Sequence, residues 1–384
     1  MLYQKWFWNT LDIDSYRINV IRLKYINDTI MIKISQKQQN ILEIILKKGT
    51  MQSSVIHEEI LSRGDDLSLV SVKRALSEMT SLGLLNVTGS GRSTSYNISN
   101  TARAFFDIDA KKYIEIEPDK RFGLNKYNFG YFSQFPVDIF DELELKNLNH
   151  ATKDYKQKTR NLSNVIEEKE LLRLIIELSW KSSKIEGNTY TLLDTEKLIL
   201  DKEEAKGHDK LEAIMILNHK DAFDFIRENN AEFKTLTRAN LEKLHSVLVK
   251  DMGVGLGIRN RVVGVTGSKY KPLDNKYQIH EAIKDLSDSI SKAKTPYAKA
   301  LLALTGIGYI QPFEDGNKRT GRLMANALLL ASGYAPLSYR SIEESDYSEA
   351  MLVFYEINSI IPFKKIFIDQ YIFAANNYAV KKDS

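Results

Sequence analysis

Residues 308–322 read GYIQPFEDGNKRTGR, and the fold of the chain turns on them. Upstream, Thr295-Pro296 is a cap followed by a first-turn proline, and the apolar run that follows predicts a helix from Pro296 to Ile310. Downstream, RLMANALLL predicts a helix over 319–332 that begins close to Asn317 and stops at Gly333. The start of that second helix points free backbone N–H groups and the positive end of its dipole at whatever the loop encloses, which favours an anion. Gly316 lets backbone approach that anion closely. Arg319 and Arg322, three residues apart, share one side of the first turn and can fork onto phosphate oxygens. Asp315 carries the hard oxygen ligands that Mg²⁺ takes when it bridges phosphates. Phe313 reads as an apolar anchor for the loop.

The bulk numbers fit a folded protein. With 384 residues, 43% hydrophobic and 27% charged, the chain can bury an ordinary core, and its length suggests two to three domains. A net charge of +4 permits nucleic-acid contact without demanding it. There is no Cys, which removes disulfides, thiolate nucleophiles and cysteine metal sites together and fits a reducing compartment. The six His stand at 57, 150, 208, 219, 245 and 280, and no two have the four-residue spacing that metal ligands favour on a helix. MLYQKWFWNTLDIDSYRINV lacks the apolar centre of a secretory leader. No window reaches about 18 uninterrupted apolar residues. The expectation is a cytoplasmic location without membrane contact.

Residues 36–105 have their own pattern. Ser35 stands ahead of the apolar rhythm in KQQNILEIILKKGT, SSVIHEEILSRG follows, and LSLVSVKRALSEMTSLGLL is a third amphipathic stretch. NVTGSGRSTSYNIS then alternates around Gly-Ser-Gly as a hairpin. Three short helices and a hairpin predict a winged helix, with Val70–Leu82 as its recognition helix. Lys73 and Arg74 would face DNA there, and Arg92 would lie in the wing near a phosphate backbone. Acids at Glu58, Glu59, Asp65 and Asp66 offset much of this charge, so a module used only for protein contacts stays open. Residues 1–35 form an N-terminal arm that could be an extra strand pair or a packed segment. Residues 106–160 read as linker and approach to the core, and 161–375 as a helical core. Asn164 with Glu167 predicts a cap for a helix reaching Ser183, and further helices fit 208–228, 237–250 and 345–358.

Helix, loop and helix in this form resemble the Fic family, whose motif is His-x-Phe-x-Asp/Glu-Gly-Asn-Gly-Arg-x-x-Arg. Phe313, Asp315, Gly316, Asn317, Arg319 and Arg322 match it as they stand, with Pro312 beside them. Two further stretches are similar to the family. In SSKIEGN, Ser182, Glu186 and Gly187 have the spacing of the inhibitory motif that many members carry on a helix before the core. The resemblance implies that Glu186 pairs with Arg322 and blocks the productive pose of the ATP γ-phosphate; a plain helix end at Gly187 is the other reading. In IRNRVVGVTGSKYKP, apolar residues alternate around Val265, Thr266, Gly267 and Ser268. This resembles the hairpin flap that clamps a target segment by strand pairing. The implied architecture is mainly α, a Fic-type helical bundle with a β-hairpin flap, preceded by a small α+β winged helix.

Two positions depart from the motif. Gln311 stands where AMP-transferring members use histidine to take the proton of the attacking hydroxyl, and a primary amide has no usable basicity near neutral pH. Lys318 stands where most members have a second glycine, so a long cation replaces bare backbone at the phosphates. The Doc toxins, which phosphorylate a protein with ATP in a reversed pose, share this lysine but lack the second arginine, and the nucleotide pose is left open. His245 and His280 read as surface or packed residues rather than substitute bases. The resemblance implies ATP and Mg²⁺ at Gly316, Asn317, Lys318, Arg319, Arg322 and Asp315, with transfer absent or much reduced. An active transferase with Gln311 as an orienting group, and a DNA-binding regulator, stand beside that reading. A protein substrate at the flap, DNA at the winged helix and a second copy of the chain are the candidate partners.

Overall fold

The structure, a computed structural model, describes residues 20–25, 28–160 and 162–380. The chain divides into two compact units between Ser99 and Asn100.

In the first unit, β1 (Val20–Tyr25) and β2 (Asp28–Lys33) pair antiparallel, with Val20 opposite Lys33. Of the two forms open for the N-terminal arm, its described part takes the strand pair, and the stretch 1–19 lies outside the described residues. Helix α1 (Gln36–Lys48) starts at Ser35, whose hydroxyl accepts from the Gln38 N–H while the Gln38 side chain accepts from the Ser35 N–H. Short β3 (Met51–Gln52) leads into α2 (Ser53–Ser62) and α3 (Leu69–Ser81), the latter capped by Ser68. Strands β4 (Leu85–Thr88) and β5 (Ser95–Ile98) complete an antiparallel sheet of order β3-β5-β4. Val72, Ala75, Leu76 and Met79 repeat at helical spacing on the buried side of α3, and Ile41 and Ile45 of α1 and Ile56 and Ile60 of α2 are buried as well.

The second unit is helical. Two short helices, α4 (Asn100–Ala104) and α5 (Ala110–Ile114), precede α6 (Glu142–Arg160), α7 (Asn164–Ile185), α8 (Leu192–Asp201), α9 (Lys210–Glu228) and α10 (Arg238–Leu248). Then come α11 (Lys276–Lys292), α12 (Pro296–Ile310), α13 (Asn317–Ala331), α14 (Glu344–Ile357) and α15 (Ile361–Asn377). Helix α12 is buried nearly all round, as its largely apolar sequence requires. It lies against α13 closely enough that a Cβ on Gly321 would come within 2.9 Å of the Leu304 carbonyl, so only glycine permits this crossing.

Several expectations change in detail. The cap of α7 is Ser163, whose side chain accepts from the Ile166 N–H, and Asn164 is already helical. Helix α13 does begin at Asn317, where its start was expected, with Gly316 in the left-handed region (φ 78) turning the chain into it. The stretch 106–160 does not behave as a linker: Tyr113, Tyr127, Tyr131, Phe132, Phe135 and Phe140 are buried in the second unit. The flap also differs. Ser268 N–H donates to the Val265 carbonyl at 3.2 Å, giving the expected turn, but the arms form no strand ladder. Their polar groups are engaged elsewhere. Arg259 N–H donates to Pro312 O, the Arg259 guanidinium holds the carbonyls of Gln311, Arg261 and Leu273, and Gly267 O accepts from Arg121.

Candidate functional site

Helix α12 cannot run through Pro312, which lacks an N–H and would clash with the preceding turn. It ends at Gln311 in the left-handed conformation (φ 51, ψ 58), an uncommon backbone for a residue with a side chain. Both ends of the Gln311 amide are engaged, one by the last turn of α12 and one by the loop-closing Asn317. Its Nε2 donates to Gly308 O at 2.7 Å, and its Oε1 accepts from Asn317 Nδ2 at 2.9 Å. Asn317 closes the loop further by accepting from the Phe313 N–H and donating to the Phe313 carbonyl, at 2.8 and 2.9 Å.

Beneath this loop lies His245, at the end of α10. Its ring stacks on Phe313 at 3.7 Å between centroids and 7° between planes. Its Nε2 donates to the Asp315 carbonyl at 3.0 Å, which assigns the proton to that nitrogen. Burial drives the imidazolium pKa down to about 4, against the pull of the Asp315 carbonyl, so the ring is a neutral prop for the loop. This residue was read above as surface or packed; it is packed, and under the site itself.

The cations of α13 stand at two depths. Arg319 is buried, with Nη2 at 3.1 Å from Asp315 Oδ2. Arg322 is fully buried. Its Nε donates to Ser182 Oγ, and its Nη2 donates to Ser182 O at 2.8 Å and to Glu186 Oε1 at 2.9 Å, while the guanidinium lies over the Tyr347 ring. Ser179, Ser182, Ser183 and Glu186 fall on one face of the α7 end, the spacing that aims them at one partner helix. Gly187 (φ 93) then ends the turn. Lys318 reaches the other oxygen of the same carboxylate, with Nζ at 2.9 Å from Glu186 Oε2. Burial pushes the Glu186 carboxyl up, but Arg322 and Lys318 together outweigh it and hold it below the ordinary glutamate value.

Over these groups is a cavity of about 280 Å³ lined by Glu186, Gln311, Asp315, Lys318, Arg319 and, from the flap, Val263 to Thr266. That is the small end of ligand sites, which run to about 300–1,000 Å³. Arg322 does not reach its surface, because Glu186 stands in between. The Asp315 carboxylate is 65% exposed at the rim. A single outward carboxylate suits Mg²⁺ that keeps its waters and shares phosphate oxygens, rather than a protein cage. Among the described residues no group of three or more His, Cys, Asp or Glu could hold a metal by itself.

Across the cavity, the flap turn is fastened from behind. Ser268 Oγ donates to Glu356 Oε1 at 2.6 Å, and the same buried carboxylate accepts from Tyr113 OH at 2.7 Å and Arg121 Nη1 at 3.3 Å. Glu356 and Arg259 were not foreseen as site residues. The signal for Glu356 was one acid inside the apolar run MLVFYEI. Lys73, Arg74 and Arg92 belong to the first unit, where all three are exposed.

A left-handed glutamine, a glycine-opened helix start and two buried arginines on α13 define the loop. Residues 235–329, which include this loop, match the family model described as Fic/DOC family. The chain is similar to curated proteins named protein adenylyltransferase Fic: 28% identical over 187 residues to the one from Nematostella vectensis, covering 44% of this chain and 41% of the relative. The Drosophila mojavensis relative is 27% identical over 241 residues, covering 61% and 46%. This chain therefore spans less than half the length of those curated relatives. Among solved structures, a Fic family protein from Desulfovibrio desulfuricans G20 superposes with a TM-score of 0.52 at 19% identity, covering 63% of this chain and 75% of that one. A Fic-1 fragment from C. elegans does so at 0.52 and 15%, covering 85% and 98%. These likenesses establish the fold. No helix among the described residues is long and apolar enough to cross a membrane.

Proposed function

We propose that the second unit binds Mg²⁺-ATP at the start of α13 and is a degenerate relative of the protein adenylyltransferases, serving as a nucleotide-sensing regulator. The observation that carries this reading is Gln311. AMP transfer to a hydroxyl forms a bond from its oxygen to the α-phosphorus, breaks the bond to pyrophosphate and sends the hydroxyl proton to a base. An amide cannot take that proton, and this one is already bonded at both ends, to Gly308 of α12 and to Asn317. Losing a general base costs about 10²–10⁴ in rate. The positioning groups remain: the α13 N-terminus and Arg319 face the phosphates, and Mg²⁺, when bound at Asp315, offsets phosphate charge. Glu186 on Arg322 is a second restraint, supported by the 2.9 Å ion pair.

The test uses α-labelled and γ-labelled ATP with the native chain, Gln311→His, and Gln311→His combined with Glu186→Gly. Only the double variant is expected to become labelled, and from the α-position. Label on the native chain from either nucleotide would overturn the inactive reading. Label on the single variant would remove Glu186 from its restraining role. A protein segment pairing with the exposed flap residues 260–262 is the matching partner.

A second reading concerns the first unit and rests on the exposure of Lys73, Arg74 and Arg92. Helix, helix, helix and a β4–β5 wing supply a winged-helix order, with the two cations on the third helix and Arg92 in the wing turn. Fluorescence anisotropy on duplex DNA should show binding that weakens with salt, with the slope reduced by about 1 for each cation removed. Unchanged binding after Lys73→Ala and Arg74→Ala would reject this face.

A further inference from the structure

Glu186 is held at both oxygens by cations that the phosphates would also need. Arg322 takes Oε1 and Lys318 takes Oε2, each at 2.9 Å. The two differ in freedom. Arg322 is fully buried and fastened to Ser182 through two further hydrogen bonds, so it cannot follow a ligand. Lys318 is one-third exposed, sits in the first turn of α13 and lines the cavity. Its four-carbon stem and compact ammonium can swing between neighbouring oxygens without disturbing the helix.

We infer that Lys318 is a partner-exchanging cation. With the site closed it latches Glu186 Oε2, and with nucleotide bound it turns to a phosphate oxygen, so freeing that oxygen and gaining the ligand are one event, while Arg322 keeps Oε1. This rests on the nucleotide reading above and adds to it a regulatory contact that a glycine at this position could not make. One side chain then acts in opposite directions: as a latch it opposes nucleotide entry, and as a ligand it favours it.

The opposition gives a test by sign. Titration calorimetry with Mg²⁺-ATP compares the native chain, Lys318→Met, Glu186→Gln and the double variant. Glu186→Gln should tighten binding. Lys318→Met should tighten it in the native background, by about fivefold for loss of one partly buried ion pair, and weaken it by a similar factor when Glu186 is already Gln. Lys318→Arg, which keeps the charge, should stay close to native in both. Weakening in both backgrounds would leave Lys318 a phosphate ligand only, and tightening in both a latch only; either overturns the exchange. No binding by any of the four would instead overturn the nucleotide reading, and the inference with it.

Discussion

The loop 311–322 and the flap 258–271 face each other across one cavity, yet they are built by opposite means. In the loop nearly every polar group has a partner within the protein: Gln311, Asn317 and Arg322 are buried and multiply bonded, and His245 supports the turn from below. In the flap the tip is tied to Glu356 and Arg121, while Val262 is 77% exposed and the arms form no ladder. On the proposed function the contrast matches two tasks, nucleotide holding by the loop and peptide docking by the flap. Holding a triphosphate needs fixed donors that do not reorganise. Accepting an extended peptide needs backbone groups left free for strand addition.

The comparison can be broken at its most rigid point first. Arg322→Leu removes the centre of the buried network and leaves Glu186 without its deeper partner, and is expected to cost about 3–5 kcal/mol in denaturant unfolding. A loss under about 1 kcal/mol would show that Lys318 alone holds the carboxylate. Next comes His245. Its folded pKa of about 4 lies below the unfolded value near 6.5, so between those limits the unfolded chain binds the extra proton and stability rises with pH. Acidification from pH 7 to 4 should remove up to roughly 3 kcal/mol through this residue, and His245→Gln should flatten that part of the pH profile. A variant with an unchanged profile would deny the histidine its role as a neutral prop. The smallest effect belongs to the flap. Val262→Asp should change stability by less than about 0.5 kcal/mol, and hydrogen exchange in the loop 311–322 should stay as in the native chain. Perturbed exchange there would mean that loop and flap are not independent.

Much of the fold was legible. Helix α12 has the bounds that Thr295-Pro296 and the apolar run imply, and α3 starts one residue from its expected place. The resemblance of SSKIEGN to the family's inhibitory motif implied a pair between Glu186 and Arg322, 136 positions apart, and the two lie in contact. Other features were not legible for a physical reason. Alternation in VVGVTGSKY says that side chains face two ways, but not whether a neighbouring strand exists to pair with. Glu356 and Arg259 act only through partners far along the chain, and nothing local marks a buried carboxylate as an anchor rather than a stray charge.

What the sequence determined by itself is the chemistry on offer: an anion-facing helix start, two arginines, a carboxylate and an amide in place of a base. These follow from residue type and short spacing, which local backbone geometry converts directly into shared faces. Only the tertiary structure decided how those groups are spent. It gave both oxygens of Glu186 to two cations of different burial, closed the Gln311 amide upon the loop and buried a neutral histidine beneath it. Each of these depends on elements distant in sequence meeting in space, where burial and competition for hydrogen bonds choose one partner among several.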